Sequence, residues 1–309
     1  MSETWPQSKV ERYKKYAVGA SIFLSSLLFV LKLFASLATG SLAILSSLVD
    51  SLSDIIASLV SFIAVKISLK PASCSYRYGY FKAEALSALI QAAFIAGSGL
   101  FVVYNAVDRF LHPSPLAQTT IGLIIMLFSL CATVALILFQ RFVAKHTNSI
   151  AIKADSGHYV VDILTNIAII FSLITVNLFK IEWFDTLTAF LIAVYLIYYA
   201  YQIAIEALSS LMDKELDESV RQTVAEIIKN TNGIRGFHDL RTRDLGGIYY
   251  FEIHLEMDGN IPLLRAHDLG DSVEHQIKKI YPNAQVLIHQ DPFGLKEERL
   301  DDVLQNCTL

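Results

Sequence analysis

Six stretches of the chain are apolar for long enough to cross a bilayer: residues 16–39, 42–66, 84–108, 118–140, 155–179 and 183–209. A spanning helix needs about 20 predominantly apolar residues, because a hydrocarbon core about 30 Å thick takes that many at 1.5 Å each. Only Gly40 and Ser41 separate the first two stretches, which predicts a tight helical hairpin. The third opens on polar Lys82 and Glu84 and carries Ala93, Gly97 and Gly99, small residues that let helices approach closely. After residue 212 the pattern changes, with Asp213-Lys214-Glu215-Leu216-Asp217-Glu218 charged and exposed. A membrane part over residues 1–212 is therefore expected to give way to a soluble domain over 213–295, followed by a disordered tail over 296–309.

The soluble part has short elements. Residues 217–230 have helical periodicity and end at Asn232-Gly233, while 236–244 and 248–257 predict two strands joined through Gly246-Gly247, a hairpin signal. Residues 263–280 predict a helix stopped before Pro282, and 284–290 a third strand. The order αββαβ predicts a three-stranded sheet covered on one face by two helices. The expected fold class is thus six transmembrane helices plus a C-terminal α+β cytoplasmic domain.

Composition agrees with this division. Of 309 residues, 54% are apolar and 17% charged, against about 25% charged in a soluble domain. The net charge of −4, with no basic tract, excludes a nucleic-acid partner. Three widely spaced cysteines (Cys74, Cys131, Cys307) define neither a disulfide framework nor a cysteine zinc site. The long polar start MSETWPQSKVERYKKY, without a cleavage pattern after it, predicts a retained helix rather than a signal peptide. Eleven Lys and Arg residues lie in the segment before the first helix and in the loops after the second and fourth; Arg109 and Lys180 alone lie in the opposite loops. That bias predicts both termini and the soluble domain on the cytoplasmic side.

The candidate chemistry sits inside the apolar runs. Asp50 and Asp54 are four apart in SLVDSLSDIIASL, and His158 and Asp162 are four apart in ADSGHYVVD. Four-residue spacing brings each pair to one helix face. An acid at membrane depth costs roughly 2.5–3.5 kcal/mol on insertion scales, and a metal held by three carboxylates and one imidazole would offset the sum. That donor set suits Zn²⁺ and also accepts Fe²⁺, Mn²⁺ or Co²⁺. One such residue alone is more often interhelical glue, but two matched pairs point to ion handling. Two other readings compete. An intramembrane metallohydrolase needs an open metal position and a base, and His-Glu-x-x-His is missing. A membrane-anchored metal sensor without transport would not need buried acids. The expectation is a transporter and not an enzyme.

The soluble domain carries His238, His254, His267, His275 and His289, then Gln290 and Asp291. His238 and His254 lie on the predicted hairpin and His289 on the third strand, so one sheet can gather them, with Asp291 as a further ligand. His275, near Lys278 and Lys279, is expected at the solvated surface. Lys32, deep in the first helix, is expected to snorkel or pair with an acid, and Gln91, Asn105 and Asn166 to bond between helices.

The segments TGSLAILSSLVDSLSDIIASL, YGYFKAEALSAL, FQRFVAKHTNS, ADSGHYVVDILTN, LMDKEL, FHDLRTR and VLIHQDP occur in order between residues 10 and 293. Together they resemble the cation diffusion facilitators, and more narrowly the bacterial zinc and ferrous-iron exporters of that family. The resemblance implies a homodimer in the cell (inner) membrane that exchanges a divalent metal, Zn²⁺ foremost with Fe²⁺ or Cd²⁺ as others, for protons. It implies Asp50, Asp54, His158 and Asp162 as transport ligands. It further implies His238, His254, His267, His289 and Asp291 as a cytoplasmic metal site at the dimer interface, and a charge interlock between Lys82 and Asp213. The chain departs from its relatives in the loop after the second helix: Ser73-Cys74-Ser75-Tyr76-Arg77-Tyr78-Gly79-Tyr80-Phe81 has neither histidine nor acid, so the loop metal site of many relatives is expected to be absent.

Overall fold

The computed structural model describes residues 5–39, 42–111, 120–179, 183–296 and 298–304. Two compact units divide the chain, residues 1–208 and 209–309.

Six long helices occur in order: α1 (Gln7–Thr39), α2 (Leu42–Ser68), α3 (Lys82–Leu111), α4 (Thr120–Thr147), α5 (Ile150–Phe179) and α6 (Trp183–Leu211). Among the described residues, windows in α1, α2, α3, α4 and α6 are long and apolar enough to cross a membrane, and α5 adds a helix of 30 residues. Several helices outrun the apolar stretches that signal them. α1 starts nine residues early, because Lys9, Glu11, Arg12 and Lys15 continue the helix outside the apolar stretch and Lys14 is paired with a buried acid. Trp5 ties down that start: its ring stacks on His146 of α4 at 4.7 Å and lies under the Lys9 ammonium at 4.3 Å. α4 runs on through Gln140, Arg141 and Lys145, and α5 begins five residues before the apolar stretch. Hydropathy marks where a helix meets lipid, not where it ends.

The bundle is inverted relative to a soluble one. Large apolar side chains such as Phe23, Phe34 and Leu37 point outward at 69%, 74% and 78% exposure, while Ser21, Ser58, Ser61, Gln91, Gln140 and Asp155 are buried. Lipid satisfies the outer face, so polar and small residues collect between helices. α2 shows the pattern clearly: Ser51, Asp54, Ser58, Ser61 and Val65 form one buried stripe at helical spacing. α5 is central, packing on α1, α2, α3 and α4, and its residues Ala154–Tyr159 are all buried. Gly157 lets Tyr199 of α6 approach α5, since a Cβ there would lie 2.4 Å from its Cε1.

The second unit contains α7 (Glu218–Lys229), β1 (Ile234–Asp244), β2 (Tyr249–Met257), α8 (Leu263–Ile280), β3 (Gln285–Pro292) and α9 (Leu300–Val303). The sheet order is β1-β2-β3, with β1 antiparallel and β3 parallel to the central β2. Alternation along β2 turns Phe251, Ile253, Leu255 and Met257 inward, onto Val224 and Ile228 of α7 and Leu269, Val273 and Ile277 of α8. The tail differs from expectation at its start. Leu300–Val303 form a helical turn held to β1, where Asp239 N donates to Asp301 Oδ2 (2.9 Å) and Asp301 N to Asp239 Oδ1 (3.1 Å). Such a reciprocal pair can order a segment too short to show any apolar pattern.

Candidate metal centres

In the membrane unit, helices α2 and α5 bring an acid and a histidine together. Asp54 Oδ1 lies 3.2 Å from His158 Nε2, with both side chains buried. Asp54, His158 and Asp162 each offer one ligand atom, all within 4.8 Å of one another. At metal–ligand distances of about 2.0–2.1 Å, the edge of a tetrahedron is about 3.3 Å, so the Asp54–His158 separation already matches one edge. The spacing His158–Asp162 turns both side chains to the α2 side, and the buried stripe of α2 presents Asp54 to them. The side chain of Asp50, one turn earlier on α2, lies outside the described residues, as do those of Asn105 and Asn166. His158 Nδ1 meets no hydrogen-bond partner among the described residues, so the ring is oriented through Nε2.

Around this group runs a polar network of which the sequence reading singled out only Lys32 and Gln91. Lys32, expected to snorkel or to pair with an acid, donates to Ser51 Oγ at 2.7 Å, close before Asp54 on α2. Asp155, one turn before His158, accepts from Ser21 of α1 and Gln140 of α4. Near the start of α5, Glu84 of α3 pairs with Lys14 of α1 at 2.9 Å and accepts from Ser68 (2.9 Å) and from Ser149. Gln91 bonds Ser61 of α2, the interhelical role expected for it. Asp155 did carry a signal: residues 155, 158 and 162 fall on one helical stripe.

In the second unit, strand register gathers the other group. His238 is paired with His254 across β1–β2, and His254 with His289 across β2–β3, so three imidazoles form one row on the sheet face away from the helices. Their ring centroids stand 4.9 and 4.8 Å apart. Asp291, at the end of β3, faces all three: Oδ2 is 2.9 Å from His254 Nδ1 and 3.9 Å from His238 Nε2, and Oδ1 is 3.2 Å from His289 Nε2. His238, His254 and Asp291 meet the spacing a metal needs. An irregularity in β1 follows His238, where Asp239 has φ +51°; such bulges re-aim neighbouring side chains. His267 stands apart on α8, 63% exposed and 3.5 Å from Asp271, and His275 is exposed on the same helix.

The two remaining candidates lie in different units. Lys82 opens α3. Asp213, with φ +56°, lies 3.5 Å from Arg243 on β1. Cys74, in the loop after α2, is exposed.

Comparison with known proteins follows this layout. Residues 18–212 match the cation efflux transmembrane domain, and residues 216–293 the cytoplasmic domain of cation efflux proteins. A cation-efflux pump FieF of Pectobacterium atrosepticum is 44% identical over 271 residues, covering 88% of this chain and 90% of that protein. A cation-efflux pump FieF of Klebsiella pneumoniae is 41% identical over 291 residues, covering 93% and 95%. Among solved structures, the metal-bound C-terminal domain of the CzcD transporter from Thermotoga maritima is 22% identical and covers 26% of this chain and 100% of its own, with a TM-score of 0.25. Matched through both of its units and along nine-tenths of its curated relatives, this multi-pass membrane protein belongs to the cation efflux family, the cation diffusion facilitators.

Proposed function

We propose that the chain exports divalent metal cations across the cell membrane in exchange for protons, with Asp50, Asp54, His158 and Asp162 as the transport ligands. The observation that carries this is the meeting of Asp54, His158 and Asp162 from two apolar helices. Such groups cost several kcal/mol at membrane depth, and a metal substrate offsets that cost when bound. Carboxylate oxygens with one imidazole favour Zn²⁺; Fe²⁺, Cd²⁺ and Mn²⁺ are substrates the same donors accept. The relatives named as cation-efflux pumps supply the direction. Metal binding requires ionised carboxylates and a neutral imidazole, so it releases protons. Protons that bind His158 and a carboxylate from outside discharge the metal there, and their release inside readies the site for the next ion. α2 and α5 must then shift together.

The Lys and Arg bias supports a cytoplasmic position for both termini and the second unit. There His238, His254 and Asp291, with His289 and His267, would hold metal and join two copies as a homodimer, and Lys82 with Asp213 would serve as the interlock near the domain boundary. The test is zinc flux into proteoliposomes carrying a metal dye and a pH dye, comparing the native chain with Asp54→Ala. Zinc uptake with opposite proton movement, both lost in the variant, is the expected result. Flux that survives the substitution would move the pathway elsewhere, and no flux of any divalent metal would favour a membrane-anchored sensor.

A further inference from the structure

Asp155 belongs to neither metal centre, yet none of its surface is exposed. Its Oδ2 accepts from Ser21 Oγ of α1 at 2.7 Å and from Gln140 Nε2 of α4 at 2.5 Å. Ser21 Oγ also meets Ser58 Oγ of α2 at 2.8 Å and Tyr159 Oη at 3.2 Å, and Ser58 meets Tyr159 at 2.7 Å. Gln91 of α3 also reaches the carboxylate as a side-chain hydrogen-bond donor, too poorly aligned to make a full bond to Oδ1. Five helices thus send a buried polar side chain to one node.

Donors and acceptors do not balance there. Gln140 Oε1 and Gln91 Oε1 are buried acceptor oxygens that meet no donor among the described residues, and Asp155 Oδ1 has only the poorly aligned Gln91 amide. A buried polar atom left so is destabilising, and a charged one more so. The ionisable groups nearby leave the deficit in place. On α1, Lys14 is held by Glu84 of α3 at 2.9 Å. α2 presents Asp54, α4 presents Gln140, and α5 itself carries His158, Tyr159 and Asp162. What the node lacks is a species that brings positive charge or a donor and no acceptor. A single carboxylate balances a single positive charge; a divalent ion there would leave a net buried charge, which is heavily penalised.

We propose that Asp155, with the side-chain oxygens of Gln91 and Gln140, holds one monovalent cation, a proton or a sodium ion, inside the membrane unit. The station lies three residues from His158 on the same helical stripe, about 4.5 Å along the axis. A divalent ion at Asp54, His158 and Asp162 repels a cation on Asp155, so each weakens the binding of the other, and the linkage is reciprocal. This part rests on the reading of those three residues as the metal site.

The full-length chain in detergent micelles allows both parts to be tested. Without metal, infrared difference spectra across a pH titration are expected to show a protonated carboxyl band that Asp155→Asn removes. If the occupant is sodium, the band is missing and radioactive sodium binds the native chain but not the variant. Neither band nor sodium overturns the proposal. In a zinc titration, the protons or sodium ions released per zinc are expected to fall by about one in Asp155→Asn while zinc still binds; unchanged release overturns the linkage. A native chain that binds no zinc would sink the metal-site reading, whereas the metal-free spectra still decide the fate of Asp155. If Asp155→Asn does not fold, Gln140→Met keeps the carboxylate and removes one ligand oxygen. It is expected to shift the titration of the band or the sodium affinity, and no shift in either overturns the proposal.

Discussion

Replacing Lys14 with methionine tests how the membrane unit is held together. Lys14 and Glu84 are buried, each with 5% of its side chain exposed, and their charged atoms lie 2.9 Å apart. Removing one partner of a buried ion pair costs about 3–5 kcal/mol, because the survivor remains charged and buried. Glu84 keeps two hydroxyl donors in Lys14→Met, from Ser68 at 2.9 Å and from Ser149. The expected loss is therefore at the lower end, about 3 kcal/mol or roughly a hundredfold in the folding equilibrium. Replacing both partners, as Lys14→Met with Glu84→Gln, removes the stranded charge. The double variant should regain about 2 kcal/mol relative to the sum of the single changes. Unfolding of the purified protein in mixed micelles, followed by circular dichroism, gives all three values. A Lys14→Met protein within about 0.5 kcal/mol of native, the scale of an ordinary surface substitution, would refute the pairing as a structural tie. Strict additivity in the double variant would refute the coupling.

Three other outcomes follow from the geometry. Gly157→Ala sets a methyl group 2.4 Å from Tyr199 Cε1; it should cost about 1–3 kcal/mol by overpacking and slow zinc flux by moving His158, and Tyr199→Ala in the same chain should restore both, which a flux assay on the pair will show. Changing His238 and His289 together to alanine should weaken dimerisation or activity at limiting zinc, read by sedimentation and flux, and unchanged behaviour in both would count against a working cytoplasmic site. Asp258 is held below the usual carboxylate range by the Asn260 backbone N–H and by Arg235 at 2.8 Å. A depressed value adds stability above the unfolded value near 3.8 that is lost as pH falls through the folded one. Asp258→Asn should therefore lower the denaturant midpoint at neutral pH and leave it unchanged in strong acid; an equal drop at both would refute the assignment.

The long elements and the proposed transport ligands were legible in the amino-acid pattern because lipid imposes a strict rule: an acid inside an apolar run needs a reason. Asp54, His158 and Asp162 broke that rule visibly, and two of the three are now seen in contact. Asp155 did not, because it stands at the edge of its apolar stretch and reads like a flanking residue. Its stripe with His158 and Asp162 was the one hint, and the early start of α5, with four helices packed on it, places it inside. Lys14 and Glu84 were hidden for the same reason, each resembling an ordinary helix-end charge. In the second unit, the pairing of the first two strands followed from the glycine pair and the apolar alternation, whereas the parallel place of β3 beside β2 had no such marker. The bulge at Asp239 left no trace in composition, because it depends on a positive φ that aspartate adopts without a marker. The helical turn at Leu300 depends on two reciprocal bonds to a residue 62 positions away.

The imidazole row also has a consequence for how the protein is made. His238 and His254 belong to a hairpin that can close locally, but Asp291 and His289 arrive on a parallel strand only after α8 has crossed the sheet. His254 and Asp291 are separated by 37 residues, so the carboxylate that joins the imidazoles is among the last parts to emerge from the ribosome. Under the proposed reading of this row as a metal site, a chain still in synthesis has His238 and His254 without His289 and Asp291, and its ligand set stays incomplete until the domain is whole. A truncation before residue 285 would leave every membrane helix in place and an incomplete ligand set behind them. On that reading, the order of the strands keeps unfinished copies from competing for the metal.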